Sequence, residues 1–254
     1  MQQLQSDLKD GVLHLVLDVP GKKNALTDTL RAELRSAVSA AQDDAGTRAI
    51  LISGAGGAFC SGGDISAMTG DPELARKRMT VLHDVVRMLI AGNKPAVAAV
   101  AGPAFGGGFS LSLCCDQIIA DHTAKFSASF GRVGLPPDLG LVWSLPRRIG
   151  DAAARRILLS NRIVEAPEAR EIGLLDDLVE PERLLEAARQ RALELSAFTQ
   201  EPKGHVKALM TAAAGDLDAI LDREMTSYIT LLNSAEHQAA TKAFLEKSGQ
   251  RRTG

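Results

Sequence analysis

The run PAVAAVAGPAFGGGFSLSLCC at 95–115 carries no charged residue and ends against Asp116. No other feature constrains the fold as much. A stretch of that length can span a bilayer, but Gly102-Pro103 and the triplet Gly106-Gly107-Gly108 would interrupt a spanning helix where lipid offers no replacement hydrogen bonds. The run therefore predicts a buried strand, a tight turn and a buried helix. Where a strand hands over to a helix, the first backbone N–H groups lack intrahelical partners and gain partial positive charge from the helix dipole. Glycine at that point lets a ligand's polar atom approach the backbone without meeting a Cβ. Chemistry is expected at the triple glycine.

The same unit occurs once before. AILIS at 49–53 reads as a buried strand and runs into GAGGAFCSGGDI at 54–65. The spacing of Leu74, Met79, Leu82, Val86 and Leu89 then predicts a helix over 72–90. Two successive units of strand, glycine turn and helix imply an α/β fold, whose loops commonly face one crevice. Elsewhere the pattern predicts a strand over 12–19, a helix over 28–41 capped by Thr27, and short strands over 117–120 and 125–129. A loop follows, stiffened by Pro136-Pro137 just before Asp138. The remainder reads as helices over 152–159, 167–172, 181–195 and 203–214. One long helix over 217–247 has apolar spacing suited to packing on another subunit. The expected division is a core at 1–195 and a helical oligomerisation region at 196–254.

Composition narrows the function. The chain has 254 residues, is 45% hydrophobic and carries a formal net charge of −2 with scattered Lys and Arg, so no nucleic-acid partner is expected. Cys60, Cys114 and Cys115 make an odd, partly adjacent set that suits a reducing cytoplasm rather than a disulfide scaffold. The N-terminal sequence lacks the pattern of a secretory leader, and no membrane partner is expected. A dinucleotide fingerprint fails at both glycine turns, with Phe59 and Leu111 where its third glycine belongs. No P-loop, nucleophile elbow or metal-ligand spacing is present in the sequence.

Two backbone N–H donors, one from each turn, could converge on one oxygen as an oxyanion hole, where losing a donor typically costs ~2.7–4 kcal/mol. Taken singly, either turn reads more simply as tight packing. Taken together, AFCSGGDI at 58–65 and KPAVAAVAGPAFGGGFSLSLCCD at 94–116, with Asn24-Ala25-Leu26 before and LPRRIG at 145–150 after, resemble the enoyl-CoA hydratase/isomerase family, the crotonase superfamily. The resemblance covers nearly the whole chain. It implies a crotonase-like repeated ββα core and a homotrimer or dimer of trimers. The substrate would be an acyl-CoA thioester, so coenzyme A would enter as part of the substrate, with no other cofactor and no metal.

The same resemblance assigns the oxyanion donors to the N–H groups of Gly63 and Gly107. It implies contacts to coenzyme A from Ala25 and from the turn containing Ser61, Gly63, Asp64, Ile65 and Ser66. Lys247 would meet coenzyme A phosphates or stand as an ordinary solvated lysine. Asp64 and Asp116 are read as structural carboxylates. Hydratases of the family hold water between two glutamates, and this chain has Ser110 and Phe130 at those positions. Asp138 matches the single catalytic acid of the isomerases, with Phe130, Leu135 and Phe105 making its pocket apolar. Three alternatives remain at this stage: hydration; dehalogenation using Asp138 and His83, which lacks the expected tryptophan at Phe130; and a non-catalytic relative that binds a CoA thioester or RNA.

Overall fold

The computed structural model describes residues 2–197, 200–213 and 215–250. Strands β1 (Leu4–Lys9) and β2 (Val12–Leu17) form an antiparallel hairpin turned at Asp10-Gly11, both with positive φ. Helix α1 (Asp28–Asp43) follows, and the Thr27 side chain accepts from Leu30 N as the spacing predicted. Then come β3 (Ala49–Gly54), α2 (Pro72–Ala91), β4 (Ala96–Val100), the short β5 (Pro103–Phe105) and α3 (Gly107–Leu113). The uncharged run is thus two strands and a seven-residue helix, and among the described residues no helix is long and apolar enough to cross a membrane.

Beyond it lie β6 (Gln117–Asp121), β7 (Lys125–Ser127), α4 (Leu141–Ile149), α5 (Asp151–Ser160), β8 (Val164–Glu165), α6 (Ala166–Glu171) and β9 (Asp177–Val179). The chain continues as α7 (Leu184–Ser196), α8 (Gln200–Ala213), α9 (Leu217–Leu232) and α10 (Ala235–Gln250). The main sheet has the order β1-β2-β3-β4-β6-β9, parallel from β2 onward, and β5-β7-β8 form a smaller sheet.

Strand alternation decides what each face of the main sheet buries. Ile50, Ile52, Ala96, Ala98 and Val100 join a core shared with Leu30, Leu34 and Val38 of α1 and with Val85, Val86 and Leu89 of α2. Ala49, Leu51, Val97 and Ala99 point the other way, onto Leu184, Ala188 and Ala192 of α7. Each fully buried Leu, Ile or Val contributes about 1.5–3 kcal/mol of transfer free energy. The helices therefore fix the sheet from both sides and leave its carboxyl end to present the glycine turns.

Several elements differ from the sequence reading. Strand β1 escaped it because all but its first residue are exposed, so LQSDLK has no apolar rhythm. Strands β8 and β9 are two and three residues long, below the length at which a pattern exists. Pro146 lies inside α4 and hid that helix. The single long helix expected over 217–247 is two: the chain breaks at Asn233-Ser234, where Asn233 Nδ2 donates to Ile229 O and Ser234 Oγ accepts from His237 N to start α10. Residue 214, the expected end of the preceding helix, lies outside the described residues.

Candidate active site

Buried Asn24 braces the first glycine turn. Its Nδ2 donates to Ala55 O at 2.9 Å and Ala58 O at 2.7 Å, and its Oδ1 accepts from Val19 N at 2.9 Å. Backbone bonds then lash this turn to the second one: Cys60 N donates to Pro103 O at 3.0 Å and Phe105 N to Cys60 O at 2.9 Å. Two glycines make that approach achievable. Gly62 has φ +93°, and a Cβ there would stand 2.7 Å from Phe105 O and 3.3 Å from Gly107 N. A Cβ on Gly108 would fall on the Cys60 carbonyl. Among the described residues, neither Gly63 N–H nor Gly107 N–H, the latter at the first position of α3, donates a hydrogen bond.

Both turns open into a cavity of roughly 350 Å³. Ser61, Gly63, Asp64 and Ile65 line it from the first turn and Phe105 and Gly107 from the second. Phe130 and Leu135 complete an apolar wall beside Asp138. Three residues proposed for coenzyme A, Ala25, Ser66 and Lys247, do not line the cavity. Ala25 is buried beside it, and Ser66 is turned onto Asp64, donating from N at 3.2 Å and Oγ at 2.6 Å to Oδ1. Lys22 Nζ holds the other Asp64 oxygen at 2.6 Å. Burial opposes ionisation of Asp64, but the Lys22 and Ser66 hydrogen bonds outweigh it and hold the carboxyl below the usual range.

Lys247 is exposed on α10 and is not part of the lining, whereas Phe244, less than one turn before it, is. His83 is buried on α2, off the cavity, with neither ring nitrogen hydrogen-bonded; burial pushes it down to about 4. Asp116 is occupied with structure: its Oδ2 accepts from Ala96 N at 2.7 Å and from Lys207 Nζ of α8 at 2.5 Å.

Asp138 sits at the centre. The residue as a whole is partly exposed, yet Oδ1 is fully buried, has no hydrogen-bond partner, and lies 3.7 Å from where a Cβ of Gly107 would be. Burial raises its pKa to about 7, with Arg31 pulling the other way. The loop is pinned from both sides. Ser110 Oγ donates to Asp138 O at 2.9 Å, and Gly140 N donates to Glu224 Oε2 at 2.9 Å, across the left-handed pair Leu139 and Gly140. Ser110 is thereby committed to holding the loop.

Three neighbours were not singled out in the sequence reading. Glu224 of α9 is 6% exposed with Oε1 unpaired; burial raises it to about 8, the Gly140 N–H opposes, and Asp138 adds to the rise. Tyr228, one turn on, lines the cavity and is pushed up to about 12, first by burial and then by Asp138. Arg31 of α1 reaches the cavity with a side chain 12% exposed, its Nη1 donating to Asp28 Oδ1 at 3.0 Å and its Nε buried without a partner. One signal was readable: Leu217, Leu221, Glu224, Tyr228 and Leu232 repeat at helical spacing, placing a carboxylate inside a buried stripe.

The sheet order and docked glycine turns are those of the crotonase fold. An enoyl-CoA hydratase from Mycobacterium avium subsp. paratuberculosis K-10 superposes with a TM-score of 0.88 at 27% identity, over 96% of each chain. The 1,2-epoxyphenylacetyl-CoA isomerase of Escherichia coli (strain K12) is 33% identical over 260 positions, covering 100% of this chain and 99% of that protein. The crotonyl-CoA hydratase of Syntrophomonas wolfei subsp. wolfei is 31% identical over 96% of this chain and 94% of its own. A family model described as enoyl-CoA hydratase/isomerase matches residues 7–251. This chain belongs to the enoyl-CoA hydratase/isomerase family and is an enzyme of that family.

Proposed function

We propose that the enzyme moves a double bond within an acyl-CoA thioester, converting a 3-enoyl group to its conjugated 2-enoyl isomer. The observation that carries this is the buried, unpaired Oδ1 of Asp138 beside the Gly107 turn. The thioester oxygen accepts from Gly63 N–H and Gly107 N–H. The Asp138 carboxylate removes a proton from the carbon next to the thioester, and the electron pair spreads into a dienolate whose oxygen the two amides hold. The same carboxyl then returns the proton two carbons further along, so one residue completes the reaction without a second acid.

Ser110 and Phe130 support this reading, because the first is spent on the loop and the second cannot transfer a proton. The turn from Ser61 to Ile65 holds coenzyme A, with Ala25 and Ser66 backing it and Lys247 near its phosphates. Exposed Leu209 and Met210 on α8 supply apolar surface for a homotrimer or dimer of trimers. Hydration of a 2-enoyl-CoA is the second reading, favoured by the likeness to the crotonyl-CoA hydratase. Assay of 3-enoyl-CoA isomerisation and 2-enoyl-CoA hydration on one preparation separates the two. Isomerisation should dominate, and Asp138→Asn should lower it by about 10²–10⁴-fold. Brisk hydration without isomerisation, or full isomerase activity in the variant, overturns the proposal.

A further inference from the structure

Arg31 and Arg78 both line the cavity, as do Leu26, Met68, Met79 and Leu82, and Arg31 Nη2 and the Met68 methyl both lie beside the place a Gly63 Cβ would take. A guanidinium offers five N–H donors and stays charged at any pH a protein survives. In Arg31 one of the nitrogens is used, Nη1 on Asp28, while Nε is buried with no partner. Burying charged donors without acceptors is costly, and folded proteins leave few such groups. Its counter-charge is weak too. The Asp28 side chain is 56% exposed and already receives the fork of Arg78, Nε at 2.7 Å and Nη2 at 2.6 Å. Two arginines therefore share one wet carboxylate.

Position says what the spare donors face. Arg31 Nη2 is 4.0 Å from where a Cβ of Gly63 would stand, so the guanidinium borders the turn assigned to the thioester. The Tyr228 hydroxyl, without a hydrogen bond among the described residues, lines the same cavity from α9. A plain alkyl chain packed here would strip water from the guanidinium and give nothing back. An oxygen would give a charge-assisted hydrogen bond, stronger than a neutral one.

We propose that the acyl group this enzyme accepts carries a hydrogen-bond-accepting oxygen, carbonyl or carboxylate, and that Arg31 binds it. This specificity rests on the acyl-CoA reading above. It makes Arg31 a substrate-selecting residue in addition to its charge effect on Asp138.

The test is calorimetric binding of three saturated five-carbon CoA thioesters, pentanoyl-CoA, 4-oxopentanoyl-CoA and glutaryl-CoA, none of which has a double bond to move. A buffer near pH ~5.5 keeps Asp138 protonated, given its rise to about 7, and leaves the glutaryl carboxylate ionised. At least one oxygen-bearing thioester should bind the wild type about tenfold or more tighter than pentanoyl-CoA. Arg31→Met should erase that margin to within about threefold and leave pentanoyl-CoA affinity unchanged or improved, while Arg31→Lys keeps part of it. The wild-type comparison stands alone if a variant fails to fold. Equal binding of all three, or a margin that survives Arg31→Met, overturns this inference and leaves the acyl-CoA reading intact. Failure of all three and of free coenzyme A to bind overturns both.

Discussion

In the proposed isomerisation a single carboxyl group, that of Asp138, sets the pH behaviour of the site. Asp138 must be ionised to take a proton, and burial has moved its pKa from 3.8 to about 7. Isomerase kcat/KM should therefore climb with pH through about 7 and level off above it. Glu224 is the nearby second acid, but it ionises later, at about 8, and its own rise comes partly from Asp138 already being charged. Glu224→Gln should thus leave the climb where it is, while Arg31→Met removes a stabilising charge and moves it to higher pH. A pH profile of kcat/KM on wild type and both variants checks this; a flat wild-type profile between about pH 6 and 8 would rule out Asp138 as the base. Asp138 was singled out beforehand because its place after Pro136-Pro137 matches the single acid of the isomerases in the family that the sequence resembles. Arg31 was not, being in sequence one polar residue on an amphipathic helix, and the one sign of Glu224 and Tyr228 was their place in the apolar stripe of α9. Their role depends on what α1 and α9 are packed against, and spacing along one helix does not contain that.

At the scale of elements, the site depends on two turns from different halves of the core lying in backbone contact. Gly108→Ala would drive a methyl group into the Cys60 carbonyl. The turns would have to separate, at a cost of about 1–3 kcal/mol or more. Gly63→Ala is the contrasting substitution, since a Cβ there meets only the ends of two flexible side chains, Met68 at 3.4 Å and Arg31 Nη2 at 4.0 Å. Thermal unfolding should show a clear loss for the first and little change for the second, and activity should follow. If both are equally tolerated, the docking of the turns is not what shapes the cavity. The main elements that build this contact were readable: β3, β4 and α2 each carry a full apolar rhythm bounded by glycine or proline. Elements stabilised by tertiary partners were not. Strand β9 has three residues and owes its place to Ile118 N donating to Asp176 Oδ2 just before it and to the ion pair of that carboxylate with Arg148. The α9 to α10 break depends on capping by Asn233 and Ser234 inside a sequence whose apolar spacing runs straight through.

For the whole molecule, the two buried acids Asp138 and Glu224 weaken the fold as pH rises. Asp138 and Glu224 have folded values of about 7 and about 8, against 3.8 and 4.5 when exposed. Between those limits the folded state binds more protons than the unfolded state, so stability falls as pH rises through that window and stays lowered above it. Buried His83 acts in the opposite sense: lowered from 6.5 to about 4, it is neutral when folded and charged when unfolded, so it adds stability as pH rises through that lower window. The two effects flatten the wild-type curve, and the difference between proteins is the informative quantity. Glu224→Gln keeps an oxygen for Gly140 N–H and removes the ionisation, and Asp138→Asn removes that of Asp138. Each variant should match the wild-type melting temperature near pH ~4 and exceed it increasingly toward pH ~8.5, by about 2–4 °C for each kcal/mol of relieved charge burial. Melting curves across that range decide the matter. A difference that does not change with pH would mean neither acid is held neutral by the fold, and the raised proton affinity on which Asp138 depends as a base near neutrality would go with it.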